Sequence, residues 1–343
     1  GQAEIMGRIY PAGFSSLPRA ATLAAGTLIF LLLGIIYSWS VFVAPLEKAF
    51  GWKRDATSLV YVVSICCFVI GSILSGPLIQ RFATRTVIVI SAAMLSSGFF
   101  MSSRVHSVWH LYLSYGVLCG LGIGVAYTAV LFAVMGRYGD KPGLASGVLL
   151  MGFGLGGFIL GPAVTAVIYG PVGWRATYVL LGFVFGAVLT AGSFFVSLPP
   201  APGAAAPGPS SSTADFSPGR VIRSRSYRWY LAWVVLVGTN GMAVLSMGAP
   251  LALDIGASPM GAAAAAGVLS MGNGMGRLLF GHLFDRHGRP AAMLTASVFF
   301  AAAAVGVLTA YSRSSYLLLL AAFLATGISY GSTPILNSCF SRS

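Results

Sequence analysis

The sequence predicts an all-α membrane protein, a bundle with ten transmembrane helices, and three observations favour this class. Charged residues make up 8% of the 343-residue chain and hydrophobic residues 57%, whereas about a quarter of a typical soluble domain is charged. A soluble fold could not cover so much apolar side chain with so little charge. Apolar runs of spanning length recur, without the period-2 alternation of barrel strands. These features exclude a cytosolic enzyme, a disordered chain and a secreted disulfide-stabilised domain.

Each predicted helix is an apolar run close to the roughly 20 residues that cross a bilayer, and each run is closed by glycine, proline or charge. Backbone exposed to lipid at that depth must be helical or belong to a closed barrel. The ten predicted helices cover residues 22–45, 56–80, 86–103, 109–134, 143–168, 176–197, 229–252, 259–283, 290–311 and 315–340.

One long stretch interrupts this series. Residues 198–228 are rich in proline, glycine, serine and alanine and end in four arginines, a composition typical of a flexible linker. The sequence therefore predicts an N-terminal half of six helices over residues 1–197 and a C-terminal half over 229–343, of which four helices are present.

The distribution of Lys and Arg predicts the orientation. With the N-terminus inside, 13 of the 20 basic residues fall on inner segments and six on outer loops, and Arg277 is left inside a helix. Cytoplasmic segments carry such an excess of positive charge, so we expect the N-terminus and the linker to be cytoplasmic. The plasma membrane is the expected location. The formal net charge is +13, but most basic residues are scattered between apolar runs and form no basic face. No nucleic-acid partner is therefore expected.

An internal repeat relates the two halves. The segment from Gly76 to Arg81 recurs from Gly281 to Arg286, an offset of 205 residues, and the same offset pairs Gly122 with Gly327. A shared offset on two helices, with the linker between the copies, indicates duplicated halves. Parallel repeats of this kind are a transporter arrangement.

The segment from Gly281 to Arg289 resembles the G-x-L-x-D-R-x-G-R loop of the major facilitator superfamily. The stretch around Tyr37-Ser-Trp39 and the run Asn273-Gly-Met-Gly-Arg277 resemble more specifically the oxalate:formate antiporter branch, and animal-type monocarboxylate transporters share part of this pattern. The resemblance implies a twelve-helix bundle of two rocking halves. The chain ends after its tenth predicted helix, so we expect a C-terminally incomplete bundle without helices 11 and 12.

The resemblance also implies a gating loop on the cytoplasmic side. Its candidate residues are Arg81 in the first copy and Asp285, Arg286 and Arg289 in the second. The first copy departs from the family pattern, because Gln80 stands where the family has Asp.

Arg277 is the strongest candidate for a substrate-binding residue. It lies eight residues before Asp285, which is roughly 12 Å along a helix, and none of the seven acidic residues lies in the middle of a predicted helix. A guanidinium at that depth costs about 2.5–3.5 kcal/mol on insertion scales, and a substrate carboxylate held bidentately would offset that cost. The structural alternative is that Arg277 extends to the inner headgroups or pairs with an acid on a missing helix.

Aromatic and amide side chains are candidates for the same cavity, and for each of them ordinary packing is an equally open alternative. These candidates are Tyr37, Trp39, Tyr127, Tyr330 and Asn273. The histidines lie at helix ends and the cysteines within apolar runs, so no metal site, cofactor or catalytic residue is predicted.

These observations predict a secondary or facilitative transporter of small organic anions, such as oxalate, formate or other mono- and dicarboxylates, and not an enzyme. Because no carboxylate is predicted at bilayer depth, exchange or facilitated diffusion is favoured over proton symport. The alternatives are a lactate- or pyruvate-type monocarboxylate transporter, a neutral-solute transporter, and a transporter-like sensor that carries nothing. The expected partners are the organic anion and the lipid bilayer, without an obligate protein partner.

Overall fold

A computed structural model describes residues 18–138, 142–198 and 224–340, with the side chains of residues 142–144, 285 and 335–340 left out of the description. The described chain is almost entirely helical. Eleven α-helices are numbered here in chain order: α1 (Arg19–Leu33), α2 (Ser40–Phe50), α3 (Arg54–Arg81), α4 (Thr84–Ser103), α5 (Val108–Leu111), α6 (Gly120–Arg137), α7 (Pro142–Ile168), α8 (Gly173–Ser193), α9 (Arg225–Asp254), α10 (Pro259–Ser312) and α11 (Tyr316–Phe340).

Two predicted helices contain segments of different pitch. The first predicted helix, 22–45, consists of α1, a 3₁₀ segment (Gly34–Ser38) and the first half of α2. The fourth, 109–134, starts with a π-helical segment (Tyr112–Cys119) between α5 and α6. Both departures occur in the middle of an apolar run, where such segments often mark functional positions. Apolar periodicity alone does not distinguish these pitches over one or two turns.

The helical membrane fold is confirmed, but the number of spans differs slightly from the prediction. Nine helices in the described part of the chain are long and apolar enough to cross a membrane, instead of ten. The predicted helix 259–283 is present as a helix but is absent from this set. Its glycines, Asn273 and Arg277 lower the mean hydropathy, so the segment that carries the candidate site is also the least apolar one.

The longest helix, α10, contains a sharp reversal. Gly288 has a φ of 75° and a ψ of −179°, a conformation that glycine adopts without the steric cost of a Cβ. Pro290 follows, where its fixed φ suits the start of a helix. We call residues 259–287 the first arm of α10 and residues 289–312 the second arm.

Contacts divide the chain into two units. The first comprises Gly1–Ile36, Pro45–Phe153 and Ala166–Ala206, and the second comprises Tyr37–Ala44, Gly154–Thr165 and Pro207–Ser343. The second unit thus includes the last two residues of the 3₁₀ segment, Tyr37 and Ser38, and the middle of α7. Most of the predicted linker, residues 199–223, lies outside the described residues.

Glycines bring two helices of the first unit into backbone contact. A Cβ added to any of three glycines on α3 or α6 would collide with a main-chain carbonyl of the other helix. The three contacts join Gly71 to Leu121, Gly120 to Ser64, and Gly124 to Phe68. We call this contact the first glycine seam.

The second unit repeats the seam between the first arm of α10 and α11. Its contacts join Gly276 to Ile328, Gly327 to Leu269, and Gly331 to Asn273. The first helix of each seam follows the offset of 205, since Gly71 corresponds to Gly276. The second helix follows an offset of 207, so the counterpart of Gly327 is Gly120 and not Gly122. The repeat is therefore present in the packing, with a two-residue slip on one helix.

Candidate functional site

The candidate site is a polar stripe on the first arm of α10. Ser270, Asn273 and Arg277 follow one another at spacings of three and four residues, which places them on one face of the helix. All three are buried, and Arg277 is 6% exposed. The stripe runs alongside the second glycine seam, because glycine at 272 and 276 lets α11 approach the helix closely.

The guanidinium of Arg277 is held by the 3₁₀ turn. Its Nη2 donates a hydrogen bond of 3.1 Å to the hydroxyl of Tyr37, and both residues belong to the second unit. Tyr37 is itself buried. A charged donor makes a stronger hydrogen bond than a neutral one, so the phenol fixes the position of the cation without neutralising it.

Tyr330 of α11 completes this side of the stripe. It is buried and lies close enough to Tyr37 and Arg277 to interact electrostatically with both. Its ring packs against Gly241 of α9, where any Cβ would collide with it. Three candidates named from the sequence, Arg277, Tyr37 and Tyr330, thus come together.

The middle of α7 packs against the start of the stripe. The Ser270 hydroxyl donates a hydrogen bond of 2.6 Å to the Gly154 carbonyl, and a Cβ on Gly154 would collide with the backbone of Gly274. Gly157 also leaves room for Tyr37 and Ser270. Sequence reasoning did not include Ser270 or Gly154 among the candidates. The signal that could have found them is the recurrence of small residues on both helices.

Asn273 contributes a buried amide group to the stripe. Its side chain is fully buried, and neither Nδ2 nor Oδ1 has a hydrogen-bond partner among the described residues. Leaving such a group without hydrogen bonds costs about 1–3 kcal/mol. One turn from Arg277, this amide offers a donor and an acceptor to a ligand.

Two further candidates lie in different surroundings. Trp39 is fully buried and stacks on Phe42 at a ring distance of 6.3 Å. Tyr127 belongs to an aromatic cluster of the first unit, with ring distances of 4.8 to 5.3 Å to Phe30, Phe153 and Phe68. Both positions suit packing, and their contact with a substrate stays a prediction.

The candidate gating residues lie at helix ends. Arg81 is the last residue of α3 and is exposed. Arg286 is exposed before the Gly288 reversal, and Arg289 is half-buried after it. The Asp285 side chain lies outside the described residues. Over the described ranges, no three His, Cys, Asp or Glu side chains gather as a metal site requires.

A family model described as "Major Facilitator Superfamily" matches residues 23–343. The chain belongs to the major facilitator superfamily. It is therefore a multi-pass membrane protein of a transporter family and not an enzyme, as the sequence predicts.

Two relatives extend the likeness of this major facilitator superfamily chain. The oxalate:formate antiporter of Oxalobacter formigenes is 27% identical over 323 residues, which cover 90% of this chain and 74% of that protein. Monocarboxylate transporter 11 of Homo sapiens is 27% identical over 271 residues, covering 78% of this chain and 56% of that protein. The chain thus spans little more than half the length of the second relative.

A solved structure supports the fold. A bacterial homologue of the human lysosomal transporter Spinster, crystallised in an inward-facing and occupied conformation, aligns with a TM-score of 0.71. It is 18% identical, and the alignment covers 94% of this chain and 75% of that one. At this identity the likeness establishes the superfamily fold alone.

Proposed function

We propose that this protein is a secondary transporter of small organic anions, in which Arg277 binds the carboxylate of the substrate. The observation that carries the proposal is the buried guanidinium of Arg277, placed by the Tyr37 hydroxyl at 3.1 Å. The planar fork of an arginine matches a carboxylate bidentately. A cation inside an apolar unit is a functional position by default in membrane proteins.

The neutral groups around Arg277 suit a small ligand. Tyr37, Tyr330 and Asn273 supply hydroxyl and amide groups in the neighbourhood of the cation. Two relatives carry names that specify oxalate, formate and monocarboxylates, and both names describe small carboxylates. The proposed mechanism is alternating access, with the halves rocking around the site and the N-terminus and linker in the cytoplasm.

Counterflow in proteoliposomes tests this function. Vesicles containing the purified protein are loaded with oxalate, formate, lactate or pyruvate, and uptake of each labelled anion is measured. We expect Arg277→Gln to reduce uptake by about a hundredfold, the loss that follows from removing a buried charged partner. Arg277→Lys should retain part of the uptake, because lysine keeps the positive charge but cannot bind a carboxylate bidentately.

The matched control is Arg104→Gln, at an exposed arginine where α4 ends. We expect normal uptake from this variant. Wild-type uptake by a correctly inserted Arg277→Gln protein would contradict the assignment of Arg277. Binding of anions without counterflow would favour a sensor. Uptake of a neutral solute that unlabelled anions do not inhibit would favour a neutral-solute transporter.

A further inference from the structure

A groove outside the candidate site lies between two helices of the second unit. It has a cavity volume of 520 Å³, and it forms where the start of α9 meets the start of the second arm of α10. Its lining combines aromatic side chains with one guanidinium. The lining residues are Ser226, Trp229, Tyr230, Trp233, Arg289 and Met293.

The walls of the groove are fixed by packing. The indole N–H of Trp233 donates a hydrogen bond of 2.9 Å to the hydroxyl of Ser297, which ties α9 to the second arm. Tyr230 stacks on Trp233 at a ring distance of 6.2 Å. Tyr230 is buried with Phe280 and Ala292, so the groove is preformed.

The surroundings of the groove are positively charged. Arg289 lines it, and Arg225, Arg228 and Arg286 are exposed on the adjoining turns. The stretches 224–234 and 285–293 contain these four arginines and a single acidic residue, Asp285. An anion is therefore favoured there.

Apolar side chains continue from this charged end along both helices. Trp229 is 69% exposed at the start of α9, a position typical of a membrane interface. Two turns on, Leu236 is exposed on the same face of α9 as Trp229, and Leu294 and Val298 are exposed on the second arm. A ligand that fits both features carries an anionic group and long hydrocarbon chains.

We propose that this groove binds an anionic phospholipid. The lipid phosphate lies against the guanidinium of Arg289, Trp229 packs beside the glycerol region, and the acyl chains lie on the apolar faces of α9 and the second arm. Basic pockets between transmembrane helices on the cytoplasmic side bind acidic headgroups. The orientation proposed above places the groove on that side. The bound lipid would join the two helices at the end of the Gly288 reversal.

Lipid retention by the purified full chain tests the site. Native mass spectrometry compares phosphatidylglycerol with phosphatidylcholine of the same acyl chains, for the wild type and for Arg289→Gln and Trp229→Leu. We expect preferential retention of phosphatidylglycerol, and about a fivefold loss of it in Arg289→Gln, which corresponds to the roughly 1 kcal/mol per arginine near an anionic lipid surface.

Two matched controls are available on this chain. Arg313→Gln removes an exposed arginine at the other end of the second arm, and Trp109→Leu removes a tryptophan that is 71% exposed in the first unit. Neither should change phosphatidylglycerol retention. Equal retention of the two lipids by the wild type, or an equal loss in Arg313→Gln and Arg289→Gln, would overturn the proposal.

A wild-type measurement covers the case in which Arg289→Gln does not fold. Tryptophan fluorescence is quenched with brominated phosphatidylglycerol or brominated phosphatidylcholine in mixed micelles. We expect stronger quenching by the brominated phosphatidylglycerol, and Trp229→Leu should reduce the difference, which Trp233 in the same groove would partly retain. Identical quenching by the two brominated lipids would contradict a phospholipid site. So would loss of the quenching by brominated phosphatidylglycerol when inorganic phosphate alone is added.

Discussion

Asn273 and Arg277 occupy successive turns of the same helix face, and their chemistry depends on each other. The amide of Asn273 is neutral, so it adds no charge beside the guanidinium of Arg277. A carboxylate four residues before an arginine forms an intrahelical ion pair. In the proposed function, a carboxylate at position 273 would therefore compete with the substrate for the guanidinium of Arg277.

The substitution Asn273→Asp tests this dependence. We expect anion affinity to fall by about tenfold or more, because an internal carboxylate competes for the guanidinium in a medium of low dielectric constant. Uptake kinetics in proteoliposomes measure the change. Asn273→Ala is the control, since it removes the amide without adding charge, and it should have a smaller effect. Equal effects of the two variants would show that the charge at position 273 is irrelevant.

The sequence identifies individual site residues better than it identifies their neighbours. Arg277 is conspicuous because charge is rare in an apolar helix, and the helical period brings Asn273 beside it. The contact with Tyr37 depends on a 3₁₀ turn, which the apolar run around Gly34 does not reveal. Ser270 was missed because serine is common at helix–helix contacts.

At the scale of helices, the two glycine seams define close packing in each unit. At Gly276 an added Cβ would collide with the Ile328 carbonyl, whereas at Gly281, on the same arm, nothing lies within 4 Å of it. Main-chain atoms at a helix contact cannot rotate away as a side-chain tip can. Gly276 and Gly281 therefore form a matched pair on one helix.

Alanine substitutions at these two positions should have opposite effects on stability. We expect Gly276→Ala to destabilise the protein by about 1–3 kcal/mol through overpacking. Gly281→Ala should be neutral or stabilising by up to about 1 kcal/mol, because alanine favours a helix more than glycine does. Thermal unfolding in detergent measures both. A lower melting temperature for Gly281→Ala than for Gly276→Ala would contradict the seam.

Sequence patterns predict the helices themselves well, because spanning length and apolar composition determine them. They do not predict changes of pitch, such as the π-helical segment Tyr112–Cys119, since these depend on packing between helices. The two-residue slip on α11 was missed for the same reason. Sequence identity aligned Gly327 with Gly122, but backbone contact aligns it with Gly120.

For the whole molecule, the distribution of charge predicts how the chain lies in the membrane. The Gly288 reversal, with Arg286 and Arg289 beside it, is assigned to the cytoplasmic side by the positive-inside rule. The turn after Ser312, which carries Arg313, is assigned to the outer side. The second arm of α10 joins these two turns. Labels at its two ends therefore report the orientation of the chain.

Accessibility of introduced cysteines measures this orientation. The native cysteines Cys66, Cys67, Cys119 and Cys339 are replaced by serine, and Arg313→Cys or Arg286→Cys is added. We expect an impermeant maleimide to label Arg313→Cys in intact cells and Arg286→Cys only after permeabilisation. The cysteine-free parent is the control. The reverse pattern of labelling would invert the proposed topology.

The slip between the seams shows where this fold accommodates a change in chain length. From Gly71 to Gly120 the chain advances 49 residues, and from Gly276 to Gly327 it advances 51. The two additional residues lie in the helix and turns between the paired helices, because the contacts at both ends of the interval are kept. Insertions are thus tolerated in the intervening hairpin but excluded from the seam. An engineer who wishes to add a reporter peptide to this chain should place it in the turn around Arg313 and leave the paired helices intact.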